Sequence, residues 1–315
     1  MKVDLLSHAV NSTSQTLSSD HPDKVLHAIQ AHVLLAQYFF LSGRKLEGRY
    51  NVTIAISLVL ATRLHRIRSR EEVSSSTYGT NAMATGLAPP RDAGEEAERI
   101  NAFWTVLSLN SCWTTLEGTT SSLAYWEPRV RVDTPWPGAS LMADTTSTST
   151  VQWFLANAAD TGYSILALHA KACILFEQSC ELSNRYSPSL SFQSAQKWLE
   201  ICRTLQTVAQ RFQSELPGLD TASSPTVSRQ LLVIHTLVCV TKIRIMLLLP
   251  QENSSEMVQR AASEAAGLVK KTDLRETAFV NPVMAVNALD DYWTNNRGVN
   301  VIFYRTKAAR VASRF

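Results

Sequence analysis

The chain has 315 residues, 45% hydrophobic and 18% charged, the composition of a folded globular protein rather than a disordered or fibrous one. Lys and Arg number 30 against 27 Asp and Glu, and the resulting net charge of +3 implies no polyanionic partner by itself. A chain of this length buries about 75% of its unfolded surface, so it folds without a disulfide or metal staple. The opening M-K-V-D-L-L-S-H-A-V-N-S-T makes a poor secretory leader. No stretch approaches the ~18 uninterrupted apolar residues of a membrane span, and the reading that follows is an intracellular protein.

Residues 1–22 are rich in Ser, Thr and Asn and read as a loose lead-in, ending at a helix start near Ser19-Asp20-His21-Pro22. The stretch Ile29–Arg68 then predicts a buried helical hairpin. Leu26, Ile29, Val33, Ala36 and Phe40 fall on one helical face. The break Ser42-Gly43-Arg44 places Gly43 where a left-handed residue ends a helix. The second run, Val52 to Leu64, is apolar nearly all round, which suits a helix buried on most sides and stopping near Ser69. From Ser69 to Gly94 (69–94), Ser, Thr, Gly and paired Pro predict a disordered loop.

Glu95-Glu96 opens a third helix, with acids at the positive end of its dipole. Ile100, Phe103, Trp104 and Leu107 recur at helical spacing through Trp113 to about Glu117, where Gly118 ends the run. V-R-V-D-T-P-W-P-G reads as extended, and Pro135 and Pro137 bar a helix there. A polar linker, 138–150, follows. Helices are predicted over Gln152–Asn184, Phe192–Leu216, Val227–Leu249 and Ser255–Lys271, with another after Pro282. No βαβ alternation or hairpin signal is present, so the predicted class is all-α, a multi-helix bundle forming a single domain over 23–315.

Chemistry is sparse. Cys112, Cys173, Cys180, Cys202 and Cys239 are scattered and odd in number, and read as buried free thiols with no metal site. The sequons at Asn11, Asn51 and Asn253 are chance matches without a secretory route. His65, in Arg63-Leu64-His65-Arg66, sits at a helix C-terminus and is expected to cap the last carbonyls and pack. Asp290-Asp291-Tyr292-Trp293 resembles the aspartate-rich helix of terpene synthases, but position 294 is Thr, and a solvated acidic turn is the better reading. There is no G-x-S-x-G, P-loop or dinucleotide fingerprint, so no catalytic residue is assigned and the chain is read as a non-enzyme. Lys307, Arg310 and Arg314, with Arg305 nearby, form a basic helix end that is weak as a nucleic-acid footprint.

Three segments together resemble a known family. L-H-A-I-Q-A-H-V-L-L-A-Q-Y-F-F-L-S-G-R-K-L-E-G-R-Y, ending in R-L-H-R-I-R-S, is similar to the opening of the regulatory domain, or middle homology region, of fungal zinc-cluster transcription factors. P-P-R-D-A-G-E-E-A-E-R-I-N-A-F-W-T-V-L-S-L-N-S-C-W resembles its next signature helix. G-T-T-S-S and V-D-T-P-W-P resemble the strand-like return after it, and F-V-N-P-V-M-A-V is a fainter match. The style is that of mushroom-forming fungi, and the likeness spans roughly residues 24–290. Its signature positions fall here on Gly43, Arg44, Leu64, His65, Arg66, Glu96, Arg99, Phe103, Trp104, Trp113, Gly118, Pro135 and Pro137.

The resemblance implies an all-helical regulatory domain, a nuclear location and control of RNA polymerase II genes. Its implied partners are a second copy or a related transcription factor and the transcription machinery, with no membrane. Zinc belongs to the family's six-cysteine DNA-binding cluster, which this sequence lacks. No cofactor and no sequence-specific DNA contact are therefore expected of this chain, whether it is part of a longer gene product or a paralogue without the cluster. The family's Leu-Asp-Arg reads Leu109-Asn110-Ser111 here, which removes both charges of an implied buried pair, a change that can be nearly neutral. The alternative is a helical protein-interaction module with no role in transcription.

Overall fold

The computed structural model describes residues 2–69, 87–139, 149–185, 191–249, 259–264 and 267. Among the described residues the regular structure is helical, without a β-strand. The helices are α1 (Lys2–Gln15), α2 (Lys24–Leu41), α3 (Lys45–Ala61), α4 (Ala93–Glu117), α5 (Thr150–Leu155), α6 (Ile165–Arg185), α7 (Phe192–Glu215) and α8 (Pro225–Leu248). They belong to two compact units, where one domain over 23–315 was expected. The first comprises Met1–Asn110, Ser121–Phe154 and Ala158–Ala167; the second Ser111–Thr120, Leu155–Asn157 and Leu168–Phe315.

In the first unit the expected hairpin forms. α2 buries Leu26, Ile29, Val33, Ala36 and Phe40, the predicted face, and packs on α3. Gly43 adopts φ +74 at the break, as a left-handed helix stop requires. Gly48 in α3 lies so close to Phe40 that a Cβ there would stand 2.6 Å from the ring. A buried polar pair ties the two helices, His32 Nδ1 lying 2.8 Å from Asn51 Oδ1, while Asn51 Nδ2 donates to the Glu47 carbonyl at 2.8 Å. α3 is less enclosed than its composition suggests: Val52, Ala55, Ile56 and Val59 are buried, but Thr53 and Ser57 face solvent. It also ends earlier, at Ala61, because Arg63 turns left-handed at φ 59 and starts a 3-10 turn over Leu64–Arg66.

Two more expectations need correcting. The lead-in is helical from Lys2 to Gln15, its hydroxyls bonding back to the preceding turn, as Thr13 Oγ1 does to the Ala9 carbonyl at 2.8 Å. The helix expected over Gln152–Asn184 is broken. Asn157 at φ 62 ends α5, and residues 158–164 run irregularly before α6. Residues 131–136 are extended, as expected, and bond to the turn after α3. The linker 138–150 and the loop 69–94 lie largely outside the described residues.

The second unit buries Leu168, Ala172, Cys173, Leu175 and Phe176 of α6, Cys202, Leu205, Val208 and Phe212 of α7, and Leu231, Ile234, Val238 and Ile245 of α8. Ser191 caps α7 by accepting from the Ser194 amide at 3.3 Å, and Ser224 caps α8 by accepting from Val227 at 3.3 Å, with Pro225 at the first helical position. α8 is long and apolar enough to cross a membrane, with mean hydropathy 2.0 over its most apolar stretch. That stretch is 67% buried and α8 packs on α7, so it serves here as a core helix. Of the helix expected over Ser255–Lys271, residues 259–264 are helical, and Ala261 packs against Ile243 and Met246. The helix expected after Pro282, Asp290-Asp291 and the basic C-terminal segment lie outside the described residues.

Candidate functional site

Segments of the first unit that are remote in sequence converge on one side-chain and backbone clasp. The turn after α3 presents the carbonyls of Leu64 and His65 and the amide of Ile67. The extended segment 132–137 answers each of them. Thr134, fully buried, donates from Oγ1 to the Leu64 carbonyl at 2.5 Å and accepts from the Ile67 amide at 3.1 Å. The Asp133 and Thr134 amides donate to the His65 carbonyl at 2.9 and 3.3 Å. Asp133 accepts from Ser69 Oγ at 2.7 Å and from Arg131 Nε at 2.7 Å. The two prolines flanking Trp136 keep this strip extended, which leaves its polar groups free to face the turn.

α4 supplies the other wall. Trp104 is fully buried, donates its indole N–H to the Pro135 carbonyl at 2.7 Å and stacks on Trp136, with centroids 4.2 Å apart at 24°. Phe103 meets Trp104 edge-on at 5.0 Å, and Phe154 of α5 meets Trp136 at 5.8 Å. Gly162 closes the far side, because a Cβ there would lie 2.5 Å from Trp136 Cγ. Pro137 is buried and its carbonyl accepts from Ser164 Oγ at 2.7 Å.

Charged groups rim the clasp. Arg68, left-handed at φ 62, makes a two-pronged contact with Glu96, Nε to Oε1 at 2.7 Å and Nη2 to Oε2 at 2.9 Å. That guanidinium holds the Glu96 carboxyl below the usual range. Glu95 bonds Arg91 and Arg99 together, and the Arg91 guanidinium, with Arg99 beside it, draws its pKa down to about 2. Arg99 also reaches the Ala88 carbonyl at 2.7 Å, and Arg91 reaches Asp23 at 2.7 Å. Arg44 stands elsewhere, over the Phe39 ring at 4.5 Å and bonded to Glu47. Trp113, half-buried, and Gly118, left-handed at φ +64, mark the end of α4.

His65 is buried and bonds to the carbonyl of Val59 in the last turn of α3, the capping role expected of it. Burial first, then the charges of Arg66 and Arg63, lowers its pKa to about 4, so the ring is neutral at physiological pH. Such a ring packs and caps.

Asn110 and Ser111 of α4 are both held by side-chain hydrogen bonds. Asn110 Nδ2 donates to Ser121 Oγ at 2.7 Å in the first unit, and Ser111 Oγ donates to the buried Glu177 carboxylate at 2.6 Å in the second.

In the second unit, side chains that look scattered in the sequence meet. Cys112 Sγ of α4 lies 3.2 Å from Cys173 Sγ of α6, and Cys173 Sγ lies 3.6 Å from His169 Nε2. The three ligand atoms are all within 4.8 Å of one another. Both cysteines are buried, and burial lowers the His169 pKa to about 4. Cys112 and Cys173 are 61 residues apart, so local spacing gave no hint of the cluster. The available signal was His169-x-x-x-Cys173, an i, i+4 pair on one helical face. Burial raises the Cys202 thiol to about 11 and the Cys239 thiol to about 12, which leaves both as inert packing groups.

Compared with known proteins, the chain matches no family model, no curated protein and no solved structure.

Proposed function

We propose that the chain is a transcription-regulator domain of the kind found in fungal zinc-cluster factors. It would act within or between molecules, in the nucleus, on RNA polymerase II genes, with a second copy or a related factor as partner. One observation carries the reading. The R-L-H-R-I-R-S, E-E-A-E-R-I-N-A-F-W and V-D-T-P-W-P segments, which carry the resemblance, are knitted into one clasp through Thr134, Trp104 and the Arg68–Glu96 pair. Signature residues that are remote in sequence and bonded in space are what a structural signature requires.

The test tethers the full chain to an unrelated DNA-binding module at a reporter gene. A several-fold change in output, abolished by Thr134→Val, is expected; no change on tethering, with a folded chain in the nucleus, overturns the proposal. The chain alone should show no sequence-specific DNA binding at physiological salt, because base readout needs side chains placed in a groove and the resemblance assigns that task to the zinc cluster. Sequence-dependent binding by this chain would relocate the reader.

A second reading, a protein-interaction module outside transcription, draws on Leu34, Tyr38 and Leu41. They follow i, i+4, i+7 spacing on α2 and are exposed. Exclusively cytosolic localisation with a stable partner would favour it.

A further inference from the structure

We propose that Cys112, His169 and Cys173 form a binding site for a thiophilic closed-shell metal ion, zinc(II) or copper(I). The inference is independent of the regulatory reading, since every ligand lies in the second unit and none belongs to the clasp.

The geometry makes the case. His169 and Cys173 sit one turn apart on α6, so both side chains leave the same face of a rigid helix. Cys112 comes from a second helix, α4, and brings its sulfur to the same point. Two sulfurs and an imidazole nitrogen are the donor set that soft and borderline metal ions select. A zinc ion with Zn–S bonds of about 2.3 Å and a Zn–N bond of about 2.0 Å spaces its sulfurs roughly 3.8 Å apart and each sulfur roughly 3.6 Å from the nitrogen. The Cys173–His169 separation of 3.6 Å already has that spacing, and the sulfurs at 3.2 Å need to part by about half an ångström.

Charge fits as well. Two thiolates and neutral imidazole around zinc(II) sum to zero, the least costly state for a buried site. Copper(I) is served by the same three donors without a fourth ligand. The buried carboxyl group of Glu177, one turn beyond Cys173 on the same helix, is held by Ser111. Two of the remaining cysteines, Cys202 and Cys239, come from α7 and α8 and stand outside the group.

The test uses the full chain, reduced and stripped with a chelator. It is titrated separately with cobalt(II) as the spectroscopic stand-in for zinc, with zinc(II), and with copper(I) against a copper(I)-specific chelator. One ion per chain is expected, with thiolate-to-cobalt charge transfer in the near ultraviolet. Zinc displacing the cobalt would assign zinc, and binding in the copper(I) arm alone would assign copper. Cys112→Ser and Cys173→Ser should each weaken binding by roughly 100-fold or more, since even residues that only support a ligand are worth about 10–100-fold. Cys239→Ala should leave it unchanged. X-ray absorption of the loaded wild-type chain, which needs no variant, should give two sulfur and at least one nitrogen neighbour. A shell of oxygen and nitrogen alone overturns the proposal. So does unchanged affinity in both serine variants, or a wild-type chain that binds none of the three ions.

Discussion

Replacing Thr134 by Val tests whether the clasp holds the turn after α3 or merely touches it. Valine keeps the shape of the fully buried side chain and removes only the oxygen. Two bonds go with it, the one donated to the Leu64 carbonyl and the one accepted from the Ile67 amide. A buried polar group left without its partner costs about 1–3 kcal/mol. The Asp133 and Thr134 amides still reach the His65 carbonyl, so the strip stays in register and the loss should fall near the lower half of the sum, about 2–4 kcal/mol. Thr134→Ser keeps the oxygen and deletes a methyl group, which costs about 1 kcal/mol. Urea unfolding followed by tryptophan fluorescence reads the difference, because Trp104 and Trp136 stack beside the clasp. Hydrogen exchange at the Ile67 and Asp133 amides should quicken in the valine variant and not in the serine one. A valine variant within about 0.5 kcal/mol of the wild type, the ordinary scatter of surface changes, would refute the reasoning.

Gly162→Ala forces a Cβ to within 2.5 Å of Trp136 Cγ, so the indole must leave its stack on Trp104. A loss of about 1–3 kcal/mol with a weakened near-ultraviolet dichroism signal is expected, and an unaltered signal would show that the backbone yields instead. The pH response follows from His65. Its unfolded pKa is near 6.5 and its folded value about 4, so between those limits the unfolded chain binds more protons. Stability is therefore full above about pH 6.5 and is lost as pH falls through 4, by up to about 3 kcal/mol at 1.36 kcal/mol per unit. Urea midpoints across pH 7 to 4 should slope less in His65→Asn than in the wild type; equal slopes would show that other groups dominate, His169 having the same sign.

Local rules carried the first unit's hairpin well. Periodicity picked the buried face of α2, and Gly43 and Gly118 marked two helix ends because a left-handed residue is a local requirement. Most of the errors share one cause, long-range contact. α3 stops at Ala61 instead of running on through Leu64, since the turn at Arg63 is stabilised by a strip about 70 residues away. The run through Ala158 and Thr161 has helical spacing, yet Gly162 is needed uncoiled against Trp136. α1 has few apolar residues, and its polar pattern hid a helix whose hydroxyls bond to its own backbone. The Cys112–His169–Cys173 cluster was the least legible, because two helices from distant parts of the chain must pack before its three donors meet.

The turn at Leu64–Arg66 is flanked by two arginines in left-handed conformation, Arg63 and Arg68, each a conformation costing an ordinary residue roughly 1–2 kcal/mol. Local turn bonds such as the Arg66 amide to the Arg63 carbonyl at 2.9 Å form within the segment, but Thr134, which fastens the turn to the rest of the unit, follows Leu64 by 70 residues. During synthesis at about 5–20 residues per second, the turn would be on hand for roughly 3–14 s before its partner exists. In that interval the α2–α3 hairpin can pack, being built from neighbouring segments, but its outgoing end lacks the two Thr134 bonds that fix its course. Folding of the first unit should thus proceed in two stages, hairpin early and clasp late. The late stage carries the loop-closure entropy, and substitutions at Thr134 should speed unfolding while leaving the early rate unchanged.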